Sequence, residues 1–379
     1  VRADGAVLLL SGLPLDRKPS FFRQLCSLAA SWRLKGREAL PGGPVFIDTE
    51  AGIGSIAWRG GAAPEVRWRL EGSGGESLAF AELVSRTDPA ALIALGYPDQ
   101  FPFLHGFVDG TPLPCFLWSQ FSRPPGRGLP EPPTYIPLTA KTASYLRAAG
   151  CSTIGPIIPH GVDTRLFSPL PDPERSRLRG QHGETGALVV GTVANTSRRK
   201  RLDLILRSFA LFSRGHERSR LLIKTNRRVA LDGVDLPGLI AREKVGDRVE
   251  IIATELGEPE MVELYNRMDL YLNLSEWEGF CIPVIEAMAC AVPVVSLPIQ
   301  GPGEILPYPD TLVPGGLVRE EEGTVLFEAD PRNVCAVLKA LADGKGLRER
   351  LGREGREAAL SRYDIRRIAE QWEEVLQRI

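Results

Sequence analysis

Cysteine and histidine are both scarce. Six cysteines stand at 26, 115, 151, 281, 290 and 335 with no C-x-x-C pair, and four histidines at 105, 160, 182 and 216. That spacing argues against structural zinc and against a disulfide framework. No apolar run approaches the roughly 20 residues a bilayer span needs, the longest being short stretches such as Ala6 to Leu10 and Val292 to Leu297. No excess of charge exists either: 46 Lys+Arg stand against 47 Asp+Glu. A generically basic nucleic-acid binder or membrane-surface binder is therefore not expected. No charged segment leads into an apolar stretch and a small-residue cleavage site, so the thiols are expected to stay reduced in the cytoplasm. The opening Val1 points to a processed start and leaves an upstream signal open.

What is present is enough chain for more than one core. At about 150 residues per domain, 379 residues make two to three domains. Short aliphatic runs alternate with segments of helical period, the pattern of an α/β chain with parallel sheets under helices. In the first half the strand candidates are 6–11, 45–48, 91–96, 115–119 and 135–138, with helices near 20–34, 77–85 and 141–149 and turns over 36–75 and 97–133. The polar, proline-bearing stretch 164–186, with little apolar periodicity, reads as the interdomain connection. A second unit then opens with a buried-type strand at 187–194 and a helix whose apolar stripe is Leu202, Ile205, Leu206, Phe209 and Phe212. Strands at 220–225, 249–254, 270–274 and 292–296 alternate with helices at 259–268 and 283–290; helices at 333–343, 346–361 and 364–379 follow.

The segment with most chemical content is 275–289, SEWEGFCIPVIEAMA. Pro283 suits the first position of a helix, which would put Glu286 in the first turn. The peptide N–H groups of Gly279, Phe280, Cys281 and Ile282 then gather ahead of a helix N-terminus, a place suited to phosphate. On spacing alone another reading stays open, in which Glu286 complements the helix dipole and Glu278 is a solvated loop residue. The run Arg198-Arg199-Lys200-Arg201 likewise reads either as a phosphate-binding cluster or as a solvated basic face. His160 reads as a turn-shaping residue, His105 as loop or core, His182 and His216 as solvated, and Cys281 and Cys290 as small packing residues.

EGFCIPVIEAMA resembles the signature of the family 4 retaining glycosyltransferases of the GT-B fold, a Glu, seven residues, Glu segment in which Cys281 replaces the usual Gly or Ser. Pro159-His160-Gly161-Val162-Asp163 with Phe167, and Pro293-Val294-Val295 with Gly301 and Glu304, resemble flanking motifs of the same family, so the likeness covers about 134–304. Before that it rests on layout alone: paired glycines near the first strand are missing, Gly12 being the nearest, and Trp118-Ser119-Gln120 stands where the family has a His. The resemblance implies two Rossmann-like doubly wound domains facing a central cleft. It divides them as an acceptor domain over 1–163, a nucleotide-sugar domain over 164–360 and a helix at 361–379 returning to the first domain, an arrangement that closes as a hinge.

The activity implied is transfer of a sugar, with retention, from a UDP- or GDP-sugar to an acceptor hydroxyl on a glycan, a lipid-linked molecule or a small molecule. Lys200 is then placed on the diphosphate with Arg199 beside it, since Asn195 occupies the usual Arg position. The peptides of 279–282 join them, Glu286 grips the ribose and Glu278 holds the transferring sugar. No Asp-x-Asp occurs, so metal-independent transfer with no cofactor is expected, cations and peptide dipoles neutralising the leaving group. The expected location is the cytoplasm, with peripheral contact to the inner face of a membrane left open. Two rivals stand beside this reading: a GT-B nucleotide-sugar epimerase, and a non-catalytic nucleotide- or polyanion-binding protein of the same fold.

Overall fold

The computed structural model describes residues 7–11, 24–25, 27–28, 31, 45–46, 53–56, 66–69, 84, 89–98, 101, 113–125, 129, 133–226, 235–314, 316–321 and 324–378. The chain divides into two compact units, one made of 1–161 with 363–379 and the other of 162–362.

In the first unit, β1 (Val7–Ser11), β2 (Val45–Phe46), β5 (Ala91–Gly96), β6 (Cys115–Ser119) and β7 (Thr134–Pro137) form a parallel sheet in the order β2-β1-β5-β6-β7. Every residue of β5 and β6 is buried, which is what uninterrupted apolar runs signal in a parallel sheet covered on both faces. Between β2 and β5, where turns are expected from the sequence, β3 (Ile53–Ile56) and β4 (Val66–Arg69) pair as an antiparallel hairpin. Helix α1 (Ala140–Ala148) starts at Thr139, whose Oγ1 accepts from Thr142 N at 3.1 Å.

The helix Ile365–Leu376 belongs to this unit. Its Trp372 is fully buried, edge-on to Trp118 at 5.4 Å and to Phe116 at 6.0 Å. Ile365 packs so closely on Gly161 that a Cβ there would lie 2.8 Å from the Ile365 Cα, and Gln24 brackets the same residue, accepting from its N–H at 2.9 Å and donating to its carbonyl at 2.7 Å. Of the helix expected over 20–34, residues 24, 25, 27, 28 and 31 are helical; of that over 77–85, Val84 is. The rest of both, together with Gly12 and His105, lies outside the described residues.

The second unit carries β8 (Leu188–Val193), β9 (Ser219–Lys224), β10 (Val249–Ile252), β11 (Leu270–Asn273) and β12 (Val294–Ser296), all parallel, in the order β10-β9-β8-β11-β12. Strand order reverses between β8 and β11. In open α/β sheets the crevice outside the carboxyl ends of two such strands is where ligands bind. The helices are α2 (Asp172–Gln181), α3 (Leu202–Ser213), α4 (Leu236–Glu243), α5 (Glu258–Arg267), α6 (Ile282–Ala289), α7 (Pro302–Ile305), α8 (Pro331–Asp343) and α9 (Lys345–Arg362), and a hairpin of β13 (Leu317–Glu321) and β14 (Thr324–Glu328) precedes α8. The whole stripe predicted for α3 is buried.

Three expectations are corrected here. The stretch 164–186 is not a mere connection between units, because it lies within the second unit and holds α2, whose anchor is ionic: Arg175 and Arg179 reach Asp269 Oδ1 at 2.9 and 2.7 Å. The other Asp269 oxygen accepts from Val189 N at 2.8 Å, which joins that anchor to the central strand. His216 is half-buried rather than solvated, stacked on Phe212 with ring centroids 4.2 Å apart. Helix α6 begins at Ile282, so Pro283 takes its second position and Glu286 its fifth, beyond the first turn. Among the described residues no helix is long and apolar enough to cross a membrane.

Candidate functional site

The loops that leave β8 and β11 meet at the reversal of strand order. Glu276 N donates to Arg199 O at 2.8 Å, and Arg201 Nη1 reaches Glu276 Oε1 at 3.0 Å. Residues 198–200 make a single 3₁₀ turn, and Arg201 takes a left-handed conformation (φ 49°) before α3 begins. That reversal sorts the four basic side chains.

Arg198 is exposed. Arg199 is half-buried, its Nη1 3.0 Å from Glu278 Oε2 and 3.3 Å from Trp277 O, and its guanidinium lies over the Trp277 ring at 4.8 Å. Lys200 is buried and pairs with the other oxygen, Glu278 Oε1. Arg201 pairs with Asp203 and Glu276. A uniformly solvated basic face is therefore not what these residues form. Asn195 caps the loop, its Oδ1 accepting from Ser197 N at 3.2 Å and from Ser197 Oγ at 2.7 Å.

Glu278 is only 4% exposed. Burial by itself would raise its carboxyl, but Lys200 first, then Arg199, with hydrogen bonds from Lys200 and Ser275, hold it below the ordinary carboxylate range. It is an ion at neutral pH, shared between two cations, and the cluster keeps one net positive charge. Such a carboxylate is a weak base and a weak nucleophile, but a good acceptor for hydroxyl groups.

Residues 279–281 run from this cluster into α6. Phe280 is buried, and a Cβ on Gly301 would come within 2.5 Å of its carbonyl oxygen. Gly301 also has φ +81°, so two independent constraints demand glycine there. Cys281 precedes the helix with φ +83°, the left-handed conformation for which glycine is suited. Its thiol is buried, which pushes it up to about 12 with Glu278 adding to the rise. It packs, as expected, and does not ionise near neutrality.

Glu286 is 5% exposed, and Tyr265 Oη on α5 donates to its Oε2 at 2.7 Å. Its place beyond the first turn of α6 removes the dipole-complement reading. Both carboxylates flank Tyr271 on β11, whose phenol is raised well above its usual range by burial, then by Cys281, Glu286 and Glu278. Glu278 and Glu286 thus belong to one neighbourhood. Ser275, Glu276 and Trp277 also touch the site; they open the segment singled out from the sequence but carry no role in that reading, and the only cue for Tyr265 is its place on the buried face of an amphipathic helix.

In the first unit His160 is wholly buried, edge-on to Trp118 at 5.1 Å, and burial lowers it to about 3. It stays neutral and moves no proton at ordinary pH. Trp118 is a core residue, donating to Ile158 O at 2.7 Å.

Comparison with known proteins bears on the same segment. The model of the family "Glycosyl transferases group 1" matches residues 174–358. The D-inositol 3-phosphate glycosyltransferase of Kineococcus radiotolerans is 29% identical over 209 residues, 52% of this chain and 45% of that protein. The lipopolysaccharide core biosynthesis mannosyltransferase LpsB of Rhizobium meliloti is 25% identical over 213 residues, 55% of each. The chain spans about half the length of these relatives. Among solved structures, HepE of Anabaena in complex with UDP has a TM-score of 0.74 at 17% identity, covering 99% of this chain and 100% of that one. Sucrose-phosphate synthase of Thermosynechococcus elongatus has a TM-score of 0.72 at 15% identity, with 98% of both chains covered. The fold is the GT-B fold.

Proposed function

Residues 174–358 match the glycosyl transferases group 1 family, and from that premise we propose that the chain transfers a sugar from a nucleotide-diphosphate sugar to an acceptor hydroxyl, with retention and without a metal ion. The observation that carries the reading is the cluster of buried Lys200 and Glu278 with half-buried Arg199 at the carboxyl end of the reversal between β8 and β11. Two cations against one carboxylate, beside the N-terminus of α6, suit a diphosphate that gains charge as its bond to the sugar breaks. Lys200 and Arg199 take the phosphate oxygens, together with the peptides of Gly279, Phe280, Cys281 and Ile282.

Glu278 accepts hydrogen bonds from the hydroxyls of the transferring sugar, a role compatible with a carboxylate that two cations make a weak base. Glu286 accepts from the ribose hydroxyls. With Glu278 held between two cations and Glu286 on the ribose in this reading, the acceptor attacks from the face the diphosphate leaves: the acceptor oxygen bonds to the anomeric carbon, the bond to the phosphate oxygen breaks, and the leaving phosphate takes the acceptor proton. HepE is named as a UDP complex, which makes UDP the first diphosphate to try; GDP is the second.

A thermal-shift panel in the presence of chelator tests this. UDP or GDP should stabilise the protein more than the corresponding monophosphate, and a ligand at ~100 Kd adds about 2.7 kcal/mol. Equal shifts for mono- and diphosphates would remove the diphosphate site. Transfer assays with sugar nucleotides then separate the rivals. Nucleotide released only with acceptor present excludes an epimerase, turnover excludes a passive binder, and activity restored by Mn²⁺ alone would refute metal independence.

A further inference from the structure

The motif residue Phe167 has no part in the chemistry above, yet it lies one ring away from the site. It is buried, and its ring is edge-on to Tyr265 at 6.1 Å. Tyr265 is fully buried between Phe167 and Tyr271, the latter ring 6.0 Å away, and its hydroxyl ends on Glu286 Oε2. Phe167 is itself tied down. Its N–H donates to Asp163 O at 2.8 Å, and Arg356 Nη1 donates both to Phe167 O at 2.8 Å and to Ala289 O at 2.6 Å, while Nη2 donates to Thr164 O at 2.9 Å. Ala289 is the last residue of α6, where an arginine satisfies an orphan carbonyl and complements the negative helix end. One arginine therefore fastens the segment carrying Phe167 to the helix carrying Glu286.

The last torsion of a glutamate is broad and roughly two-fold, so a carboxylate left to itself sweeps its oxygens through a wide arc. A diol needs both oxygens aimed together. Burial, and then Glu286, raise the Tyr265 phenol well above its ordinary range, so it remains a protonated donor. A donor on Oε2 sets the plane of the carboxylate. It occupies one of the carboxylate's about four lone-pair directions, on Oε2, and so fixes how the pair of oxygens is presented.

We propose that Tyr265, backed by Phe167, is a positioning residue for Glu286 and sets how sharply the site distinguishes a nucleoside diphosphate with a 2′,3′-diol from one without it. The inference rests on the ribose role proposed for Glu286, and the test keeps the two apart. Affinities of UDP and 2′,3′-dideoxy-UDP, and of the corresponding GDP pair, are measured by calorimetry on the wild type, Tyr265→Phe, Phe167→Leu and Glu286→Ala, with thermal melts alongside.

The wild type should prefer the ribose form. Tyr265→Phe, which removes only one oxygen, should lower that preference about fivefold while leaving the dideoxy affinity nearly unchanged. Phe167→Leu should lower it in the same sense by a smaller factor. In the Glu286→Ala background, adding Tyr265→Phe should change the preference no further. If both ligands weaken together in Tyr265→Phe and the ratio is kept, Tyr265 is only a packing residue and the inference fails while the ribose role stands. If the wild type itself shows no preference, or binds neither pair, the ribose role of Glu286 fails and takes this inference with it.

Discussion

Replacing Lys200 by methionine isolates the ion cluster. The stem is kept and the charge is lost, so the change falls on Glu278, which is 4% exposed. Removing one partner of a buried pair costs about 3–5 kcal/mol when the remaining charge is stranded. Here Arg199 stays 3.0 Å from the other carboxylate oxygen, so the expected loss is smaller, about 2–3 kcal/mol. Its pH dependence has a definite sign. In the wild type the Glu278 carboxyl is held below its ordinary value; its contribution is present above the unfolded-state pKa and is lost as pH falls through the lower folded-state value. In Lys200→Met the folded value rises, so that acid loss begins at a higher pH.

Adding Glu278→Gln removes the stranded charge. The double variant should regain most of the stability, and it should not regain diphosphate affinity or turnover. Urea unfolding from pH 3 to 8, with UDP and GDP calorimetry on the wild type and both variants, reads both quantities. Stability and acid limb both unchanged in Lys200→Met would refute the reasoning, because the buried pair would then contribute nothing. Full diphosphate affinity in the double variant would remove Lys200 from the binding site.

Other expectations follow from the same geometry. Gly301→Ala must place a Cβ about 2.5 Å from Phe280 O at φ +81°, and should cost about 2–4 kcal/mol from overpacking and left-handed strain together, seen as a lower Tm with weaker diphosphate binding; an unchanged melt would show that loop 279–281 is not held there. Gly161→Ala meets Ile365 Cα at 2.8 Å and should destabilise the first unit by about 1–3 kcal/mol with diphosphate affinity intact, since its clash lies wholly within that unit. The Cys281 thiol, raised to about 12, should resist iodoacetamide at pH 8 in the folded protein and react in urea; rapid labelling of the native state would contradict its burial. Glu286→Ala should weaken free diphosphate and raise KM, whereas Glu278→Ala should bind free diphosphate almost normally and lose turnover; equal losses of affinity would mean the two roles are misassigned.

Several regular elements whose burial is apolar were legible, though α4, with its buried Leu236 and Leu239, was not. β5 and β6 lie at the residues their short apolar runs predict, and the stripe of α3 is buried in full. Where attachment is ionic the pattern says nothing: α2 is held by two arginines on Asp269, some 90 residues further along the chain, and no periodicity carries that. The same limit applies to the site. Its residue types and the loop before α6 are readable from EGFCIPVIEAMA, but the pairing of Lys200 with Glu278 across 78 residues is not. Which of four consecutive basic residues turns inward depends on a 3₁₀ turn and a left-handed Arg201. Tyr265 was invisible for a related reason, since a buried tyrosine on an amphipathic helix looks like core until its hydroxyl is seen to end on a carboxylate.

The two units differ in how synthesis must treat them. The second is one uninterrupted segment, 162–362, whereas the first needs both 1–161 and 363–379. Domains on a growing chain normally mature from the N-terminal end, at about 5–20 residues per second. Here the Trp372 side chain, which packs against Trp118 and Phe116, is added more than 200 residues after Gly161, which at that pace is a delay of roughly 10–40 s. The half begun first is thus finished last. During the interval a partly built parallel sheet waits without its closing helix, the kind of exposed surface that chaperones engage, while the unit carrying Lys200 and Glu278 is made and receives its last residue before Trp372 is added.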